Sequence, residues 1–82
     1  MNREIEIKIG TNIRVLRERA GITQEQLSAR LQAEGCGITR SALAKIEVGQ
    51  RHLYPDEIIL IKNILGVEYE DIFELNGRVD RK

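Results

Sequence analysis

The stretch that decides the fold is residues 21–50, GITQEQLSARLQAEGCGITRSALAKIEVGQ, in which two short helical patterns flank a glycine-containing turn. Thr23 is a residue type that caps helix N-termini, and Gln26 three positions later completes the capping-box pattern. The first half of the stretch therefore predicts a helix from about residue 24 to residue 32 or 33.

The second half of the stretch has its own start and stop signals. Thr39 is another N-cap residue, and Gly49 is placed to end the following helix at about Val48. Leu43 and Ile46 supply the apolar side of this helix. Because it is barely three turns long, we expect tertiary packing rather than helix propensity to hold it.

Three further helices are predicted around this pair, which makes the fold all-α. The first follows an apolar stripe that ends at Gly21, the fourth runs from Pro55 to Gly66, and the last is short and covers the core with Phe73. The stripe of the first helix consists of Ile9, Ile13, Leu16 and Ala20. We interpret the alternating isoleucines before it as the helix start, since one isolated strand has no partner.

Length and composition limit the kind of protein. Eighty-two residues allow one small domain, so we expect residues 1–82 to form a single unit with a compact core over about 5–75 and a frayed tail over 76–82. The chain has no long uncharged apolar run and no export signal, and its single cysteine cannot form an internal disulfide. These features favour the cytoplasm.

Charge is distributed unevenly although the total is zero. Residues 1–54 carry nine Lys and Arg against six Asp and Glu, whereas residues 55–82 carry four against seven. This division suggests one face for a polyanion and another for a different partner. One histidine, one cysteine and scattered carboxylates, without a glycine-rich phosphate loop, argue against an enzyme; we expect no catalytic residue, metal or cofactor.

The helix predicted from Thr39 presents a polar face opposite its apolar side. Arg40, Ser41 and Lys45 lie on that face. A helix-turn-helix offers such a face to the major groove, where arginine and lysine bind guanine and the helix N-terminus binds phosphate. The alternative is an ordinary surface helix with solvated charges, and periodicity alone favours it.

The order of these residues resembles the Cro/repressor-type helix-turn-helix family of bacterial and phage transcription regulators, the xenobiotic-response-element family. No single piece is specific, but the ordered set covers most of the chain. The matching pieces are Ile13, Leu16-Arg17, Gly21-Ile22-Thr23-Gln24, Leu27, Ile38-Thr39, Leu43-Ala44-Lys45-Ile46-Glu47 with Gly49, and Leu65-Gly66-Val67. The resemblance implies a five-helix, lambda-repressor-like DNA-binding domain whose second and third helices read DNA.

The resemblance also implies roles for particular residues. The implied DNA contacts are Arg40, Ser41 and Lys45 at base edges, and Gln24 and the backbone from Gly49 to Arg51 at phosphates. It further implies a buried ion pair between Arg17 and Glu47 that holds the reader helix without touching bases. Such a pair is physically reasonable, because charges on or beside apolar stripes need partners.

The turn departs from the family pattern, in which three steps separate the leucine matching Leu31 from the residue matching Thr39. About five extra residues intervene here, and we expect a longer second helix and a wider reversal through Gly35 and Gly37. Cys36 lies between these glycines near a helix N-terminus, where a thiol can be activated. A redox sensor is therefore one interpretation, but we favour a residue that fills the turn.

His52 follows Arg51 just beyond the reader helix and is a candidate phosphate contact; a solvated loop histidine is equally consistent with the sequence. A zinc site formed by His52 and Cys36 would lack two ligands. The local basic patch consists of Arg30, Arg40, Lys45, Arg51 and His52. Because the chain as a whole is not basic, we expect binding to depend on this patch. Each phosphate that the patch neutralises adds a salt-dependent contribution, so we expect binding to weaken steeply with salt.

The fourth helix is apolar nearly all round. Its core stripe consists of Ile58, Ile61 and Leu65. Leu60 and Ile64 lie outside this stripe, so we predict that they form a twofold homodimer interface with Phe73. A dimer would place two reader helices one DNA turn apart on a palindrome. The alternative is that Ile59, the remaining apolar residue, only covers the edge of a larger core.

Two functions from different classes follow from these patterns. The leading interpretation is a sequence-specific, repressor-like regulator that binds double-stranded DNA. We expect no association with a membrane, and no small-molecule ligand is evident. The alternative is a protein-interaction module of the same fold, an antitoxin or regulator partner that binds protein through its acidic C-terminal half. Selection of DNA fragments by the chain distinguishes the two.

Overall fold

The computed structural model describes residues 2–75, and the tail predicted to fray, 76–82, lies outside this range. Residues 2–75 form five helices and no strand, which confirms the predicted all-α class. The helices are α1 (Arg3–Arg19), α2 (Gln24–Ala33), α3 (Arg40–Glu47), α4 (Pro55–Leu65) and α5 (Tyr69–Ile72). None of these five has the length and apolar character that crossing a bilayer requires.

Threonine caps begin α2 and α3 at the predicted positions. Thr23 Oγ1 accepts a hydrogen bond from Gln26 N at 3.0 Å, and Gln26 Oε1 accepts one from Thr23 N at 2.9 Å. Thr39 Oγ1 accepts a hydrogen bond from Ala42 N at 3.1 Å. These bonds satisfy N–H groups that have no acceptor within the first helical turn.

The short helix α3 is held by its neighbours. It packs against both α1 and α2, while α4 packs on α2 and α5 packs on α1. The fully buried side chains of the core are Ile13, Leu27, Leu31, Ile38, Leu43, Ile46, Ile61 and Ile72. Burying each such side chain contributes roughly 1.5–3 kcal/mol. This packing compensates for the low intrinsic stability of an eight-residue helix.

Two glycines allow α1 to approach the end of α3 closely. A Cβ at Gly10 would collide with the carbonyl oxygen of Ile46 and would lie 2.9 Å from the carbonyl carbon of Glu47. Gly49 has a φ of 78°, and a Cβ there would lie 2.5 Å from the Ile7 side chain. The helical periodicity of the sequence does not identify Gly10 as a contact residue. The one feature of the sequence that could indicate this close approach is an isolated glycine inside a helical pattern.

The enlarged turn between α2 and α3 is closed by hydrogen bonds to the end of α2. Gly35 has a φ of 85°; its N–H donates to Gln32 O at 3.0 Å, and the N–H of Cys36 donates to Leu31 O at 2.9 Å. This is the Schellman arrangement, whose left-handed position favours glycine. Gly37 does not have a positive φ, so the left-handed reversal depends on Gly35.

The apolar residues of α4 are distributed differently from the prediction. Leu60 and Ile64 are half-buried against the core, so the prediction that they lie outside it is wrong. At 3.6 residues per turn they extend the arc formed by the core stripe to about 160°. Ile59 lies outside this arc and is 46% exposed.

α5 is attached to α1 by a buried asparagine. Asn12 is 5% exposed, and its Nδ2 donates to the carbonyl oxygens of Ile72 at 2.8 Å and Glu74 at 2.7 Å. Ile72 is fully buried, whereas Phe73 is 43% exposed, so the prediction that Phe73 covers the core is wrong. A helix of four residues can bury only a few side chains. The hydrogen bonds from Asn12 hold α5 in the orientation in which Ile72 is buried.

Candidate nucleic-acid interface

The outward face of α3 carries the three residues predicted to read bases. Arg40, Ser41 and Lys45 are exposed, while Leu43 and Ile46 on the opposite side are buried. In the part of the chain that the structure describes, the side chains of Arg40 and Lys45 have no hydrogen-bonding or ionic partner. Their charged groups are therefore available to an external acceptor.

The start of α3 adds backbone donors to this face. Arg40 and Ser41 are its first two residues, and N–H groups at these positions have no acceptor within the helix. Thr39 takes the next free donor, the N–H of Ala42. A helix terminus of this kind attracts anions.

Arg17 of α1 and Glu47 of α3 form a buried two-pronged ion pair. Arg17 Nε lies 2.7 Å from Glu47 Oε2, Nη2 lies 3.1 Å from Oε1, and the two side chains are 9% and 1% exposed. Arg17 Nη1 also donates to the carbonyl oxygen of Ile22 at 2.8 Å. The hydrogen bond to Glu47 raises the pKa of Arg17, although burial acts in the opposite direction. The pair links α1 to the last residue of α3.

Gln24, which the resemblance assigns to a phosphate, has a partner inside the protein. Its Nε2 donates to Glu47 Oε1 at 2.9 Å, and the residue is half-buried at the start of α2. A glutamine amide has two N–H hydrogens. One of them therefore remains for an external acceptor.

The backbone after α3 is folded onto the helix that precedes it. The N–H of Gly49 donates to Ile46 O at 3.1 Å, and the N–H of Gln50 donates to Lys45 O at 2.8 Å. Gly49 is also buried. It therefore offers no free N–H to a phosphate, because this donor closes the end of α3.

Arg51 and His52 both have acidic partners within the protein. Arg51 Nη1 and Nη2 each lie 3.0 Å from one carboxylate oxygen of Glu57 in α4. This hydrogen-bonded pair raises the pKa of Arg51 and lowers the pKa of Glu57. His52 Nδ1 lies 3.1 Å from Oε2 of Glu6, which is 46 positions away in α1. A phosphate has to compete with these carboxylates, and sequence periodicity does not reveal such pairs.

Cys36 is a free cysteine in the turn between α2 and α3. Within residues 2–75, no group of three or more His, Cys, Asp or Glu side chains is arranged to hold a metal ion. Cys36 is half-buried and packs against the core directly after Gly35. This is the position at which a Schellman turn makes its apolar contact.

A family model described as helix-turn-helix matches residues 13–72, most of the chain. The protein therefore belongs to the helix-turn-helix family of the Cro/C1 type, as the ordered motifs predicted. This is a family of DNA-binding transcription regulators. No curated protein and no solved structure matches the chain significantly.

Proposed function

We propose that the protein is a sequence-specific, repressor-like transcription regulator whose helix α3 enters the major groove of double-stranded DNA. The observation that carries this proposal is the pair of partner-free cations, Arg40 and Lys45, on the outward face of a helix whose other side is buried. Arginine donates two parallel hydrogen bonds to guanine, and lysine reaches guanine or phosphate. Ser41 lies between them and bonds a base edge or a phosphate.

The phosphate contacts of this proposal come mainly from two helix N-termini. Gln24 contributes its second amide hydrogen, and Thr39 and the first N–H groups of α3 approach a neighbouring phosphate. Arg51 and His52 are secondary contacts. Each is already paired with a carboxylate, of Glu57 and Glu6 respectively, which competes with a phosphate for the same side chain. Since the chain has no net charge, binding depends on these local contacts, and the affinity for DNA falls with salt in proportion to the number of phosphates that they neutralise.

The proposed regulator binds as a homodimer. Two copies related by a twofold axis would read the two halves of a palindrome. Ile59 in α4 and Phe73 at the end of α5 are 46% and 43% exposed, and Leu60 and Ile64 of α4 are half-buried. These apolar side chains are the proposed interface. Sedimentation equilibrium at high micromolar concentration is expected to give twice the mass of the chain. A mass equal to one chain contradicts the dimer.

Selection from a random pool of DNA duplexes tests the DNA-reading function. The native chain is expected to enrich one class of sequence, and Arg40→Ala is expected to lose discrimination at one base pair by about 1–3 kcal/mol. Arg14→Ala is the matched control, since Arg14 is an exposed arginine on α1 that pairs with Glu18. It is expected to retain the native selectivity.

Two outcomes contradict the proposal. One is the absence of any enriched sequence at low and moderate salt, and the other is an equal effect of the two arginine variants. The first outcome favours the second candidate function, a protein-interaction module. A specific observation supports that candidate: residues 55–75 carry six carboxylates against one lysine. Such a surface suits a basic partner rather than DNA.

A further inference from the structure

The carboxylate of Glu47 accepts hydrogen bonds from two residues, not one. Arg17 donates through Nε at 2.7 Å and Nη2 at 3.1 Å, and Gln24 donates through Nε2 at 2.9 Å. The three residues belong to α1, α2 and α3, so one buried acceptor joins the helices on both sides of the turn. Glu47 is 2% exposed, whereas Gln24 is half-buried.

This arrangement fixes the orientation of the Gln24 amide. A carboxylate only accepts hydrogen bonds, so the amide nitrogen rather than the amide oxygen must face Glu47. Hydrogen bonds to an ionised acceptor are stronger than neutral ones, which holds an otherwise flexible side chain in place. A side chain ordered before binding loses less conformational entropy when a ligand arrives.

Gln24 is not needed to neutralise Glu47. Arg17 already supplies the opposite charge through two hydrogen bonds, and its Nη1 donates to the Ile22 carbonyl oxygen. The hydrogen bond from Gln24 to Glu47 therefore does not serve to balance charge. It orients the Gln24 side chain at the half-buried start of α2.

We propose that Glu47 is a positioning residue for DNA binding: held by Arg17, it sets the Gln24 amide so that its second N–H donates to a DNA phosphate. This inference rests on the proposed function, because it needs DNA as the acceptor. It gives the buried ion pair a role in recognition that is separate from its role in stability.

A double-mutant cycle on DNA affinity separates these roles. Arg17→Met with Glu47→Met replaces the pair by apolar side chains of similar length, a change that is often neutral for buried pairs. This exchange is expected to weaken binding to the selected DNA about threefold to tenfold when Gln24 is present, and less than about twofold in a Gln24→Ala background. An equal loss in both backgrounds overturns the inference.

A second measurement on the native chain decides the matter if the exchanged protein does not fold. The side-chain amide of Gln24 is expected to show restricted motion and slowed hydrogen exchange by NMR. Gln50 is the internal control, because it is exposed and no hydrogen bond to its side chain is seen within residues 2–75. An amide of Gln24 as mobile as that of Gln50 overturns the inference.

Failure of the inference and failure of the proposed function give different results. A native chain that selects DNA but shows additive losses in the cycle, or a mobile Gln24 amide, removes only the positioning role. A native chain that selects no DNA removes both, whatever the order of the Gln24 amide.

Discussion

The two ends of α3 differ in almost every physical respect. At its start, Arg40 and Ser41 are exposed, and Arg40 has no partner within residues 2–75. At its end, Glu47 is buried and accepts three hydrogen bonds, and Gly49 lies against the Ile7 side chain. The protein therefore anchors α3 by its C-terminal end and leaves the N-terminal end exposed. The residues that hold α3 in place therefore differ from the residues that we propose to recognise DNA.

The anchor works because an α-helix is a stiff rod with a rise of about 1.5 Å per residue. Fixing its last residue to α1 and α2 sets the direction of the whole helix, including the exposed side chains at its start. The start then needs only its own cap, Thr39, and the apolar contacts of Leu43 and Ile46.

The largest effect is expected from breaking the anchored end. Glu47→Ala leaves the Arg17 guanidinium buried without its partner, which is expected to lower the free energy of unfolding by about 3–5 kcal/mol. Urea unfolding followed by circular dichroism measures this change. Glu18→Ala is the control, since Glu18 is also 4.0 Å from Arg17 but is 53% exposed; its loss is expected to stay below about 1 kcal/mol. Similar losses for both variants would contradict the assignment.

A smaller effect is expected from separating α1 from the end of α3. Gly10→Ala places a methyl group against the carbonyl groups of Ile46 and Glu47, which are backbone and cannot turn away. We expect a loss of about 1–3 kcal/mol, as for other overpacked sites. Gly37→Ala is the control, because its Cβ meets no atom within 4 Å and its φ is not positive. That variant is expected to change stability by less than about 1 kcal/mol, and an equal loss in the two would disprove the close approach.

The loop beyond the anchored end gives a pH-dependent prediction. Pairing with Arg51 lowers the pKa of Glu57 in the folded state. The stability that this pair contributes is therefore present above the ordinary glutamate pKa of about 4.3. It is lost as the pH falls through the lowered pKa of the folded state. Glu57→Gln is expected to lose about 1 kcal/mol at pH 7 and to lose less than the native chain on acidification. Thermal melts across this pH range measure both effects. Glu70→Gln, at an exposed site, is expected to follow the native curve; if Glu57→Gln follows it too, the pair does not contribute.

The smallest effect is expected at the free end. Arg40→Ala removes a side chain without a partner, so the free energy of unfolding is expected to stay within about 0.5 kcal/mol of the native value. The same variant is the one expected to lose DNA selectivity. A stability loss well above this limit in urea unfolding would show that the start of α3 also supports the fold.

Local signals in the sequence predict the helices well and the long-range pairs poorly. Thr23 and Thr39 begin α2 and α3 as expected, because a cap bonds a donor only three residues away. The outward position of Arg40 likewise follows from helical periodicity. The pairs of Arg51 with Glu57 and of His52 with Glu6 were not predictable in this way, since neither depends on a periodic pattern.

The errors in α4 and α5 have a similar cause. Leu60 and Ile64 were predicted to lie outside the core stripe and in a dimer interface, because a single stripe gives a helix only one narrow buried face. Packing buries a wider arc and leaves Ile59 outside it. At the end of α5, the hydrogen bonds of Asn12 favour Ile72 as the buried residue, although Phe73 is the larger apolar side chain.

The sequence by itself determined the helices, their caps and stops, the family and the residues of the outward face, because these depend on neighbours within about one helical turn or on an ordered motif. Only the tertiary structure decided which groups are already occupied: Gln24 on Glu47, Arg51 on Glu57, and Gly10 against the α3 backbone. Each of these joins separate elements, and its geometry exists only after the helices have packed. The two helices on either side of the enlarged turn are also joined by the hydrogen bond between Gln24 and Glu47, and Arg40 remains exposed at the other end of α3.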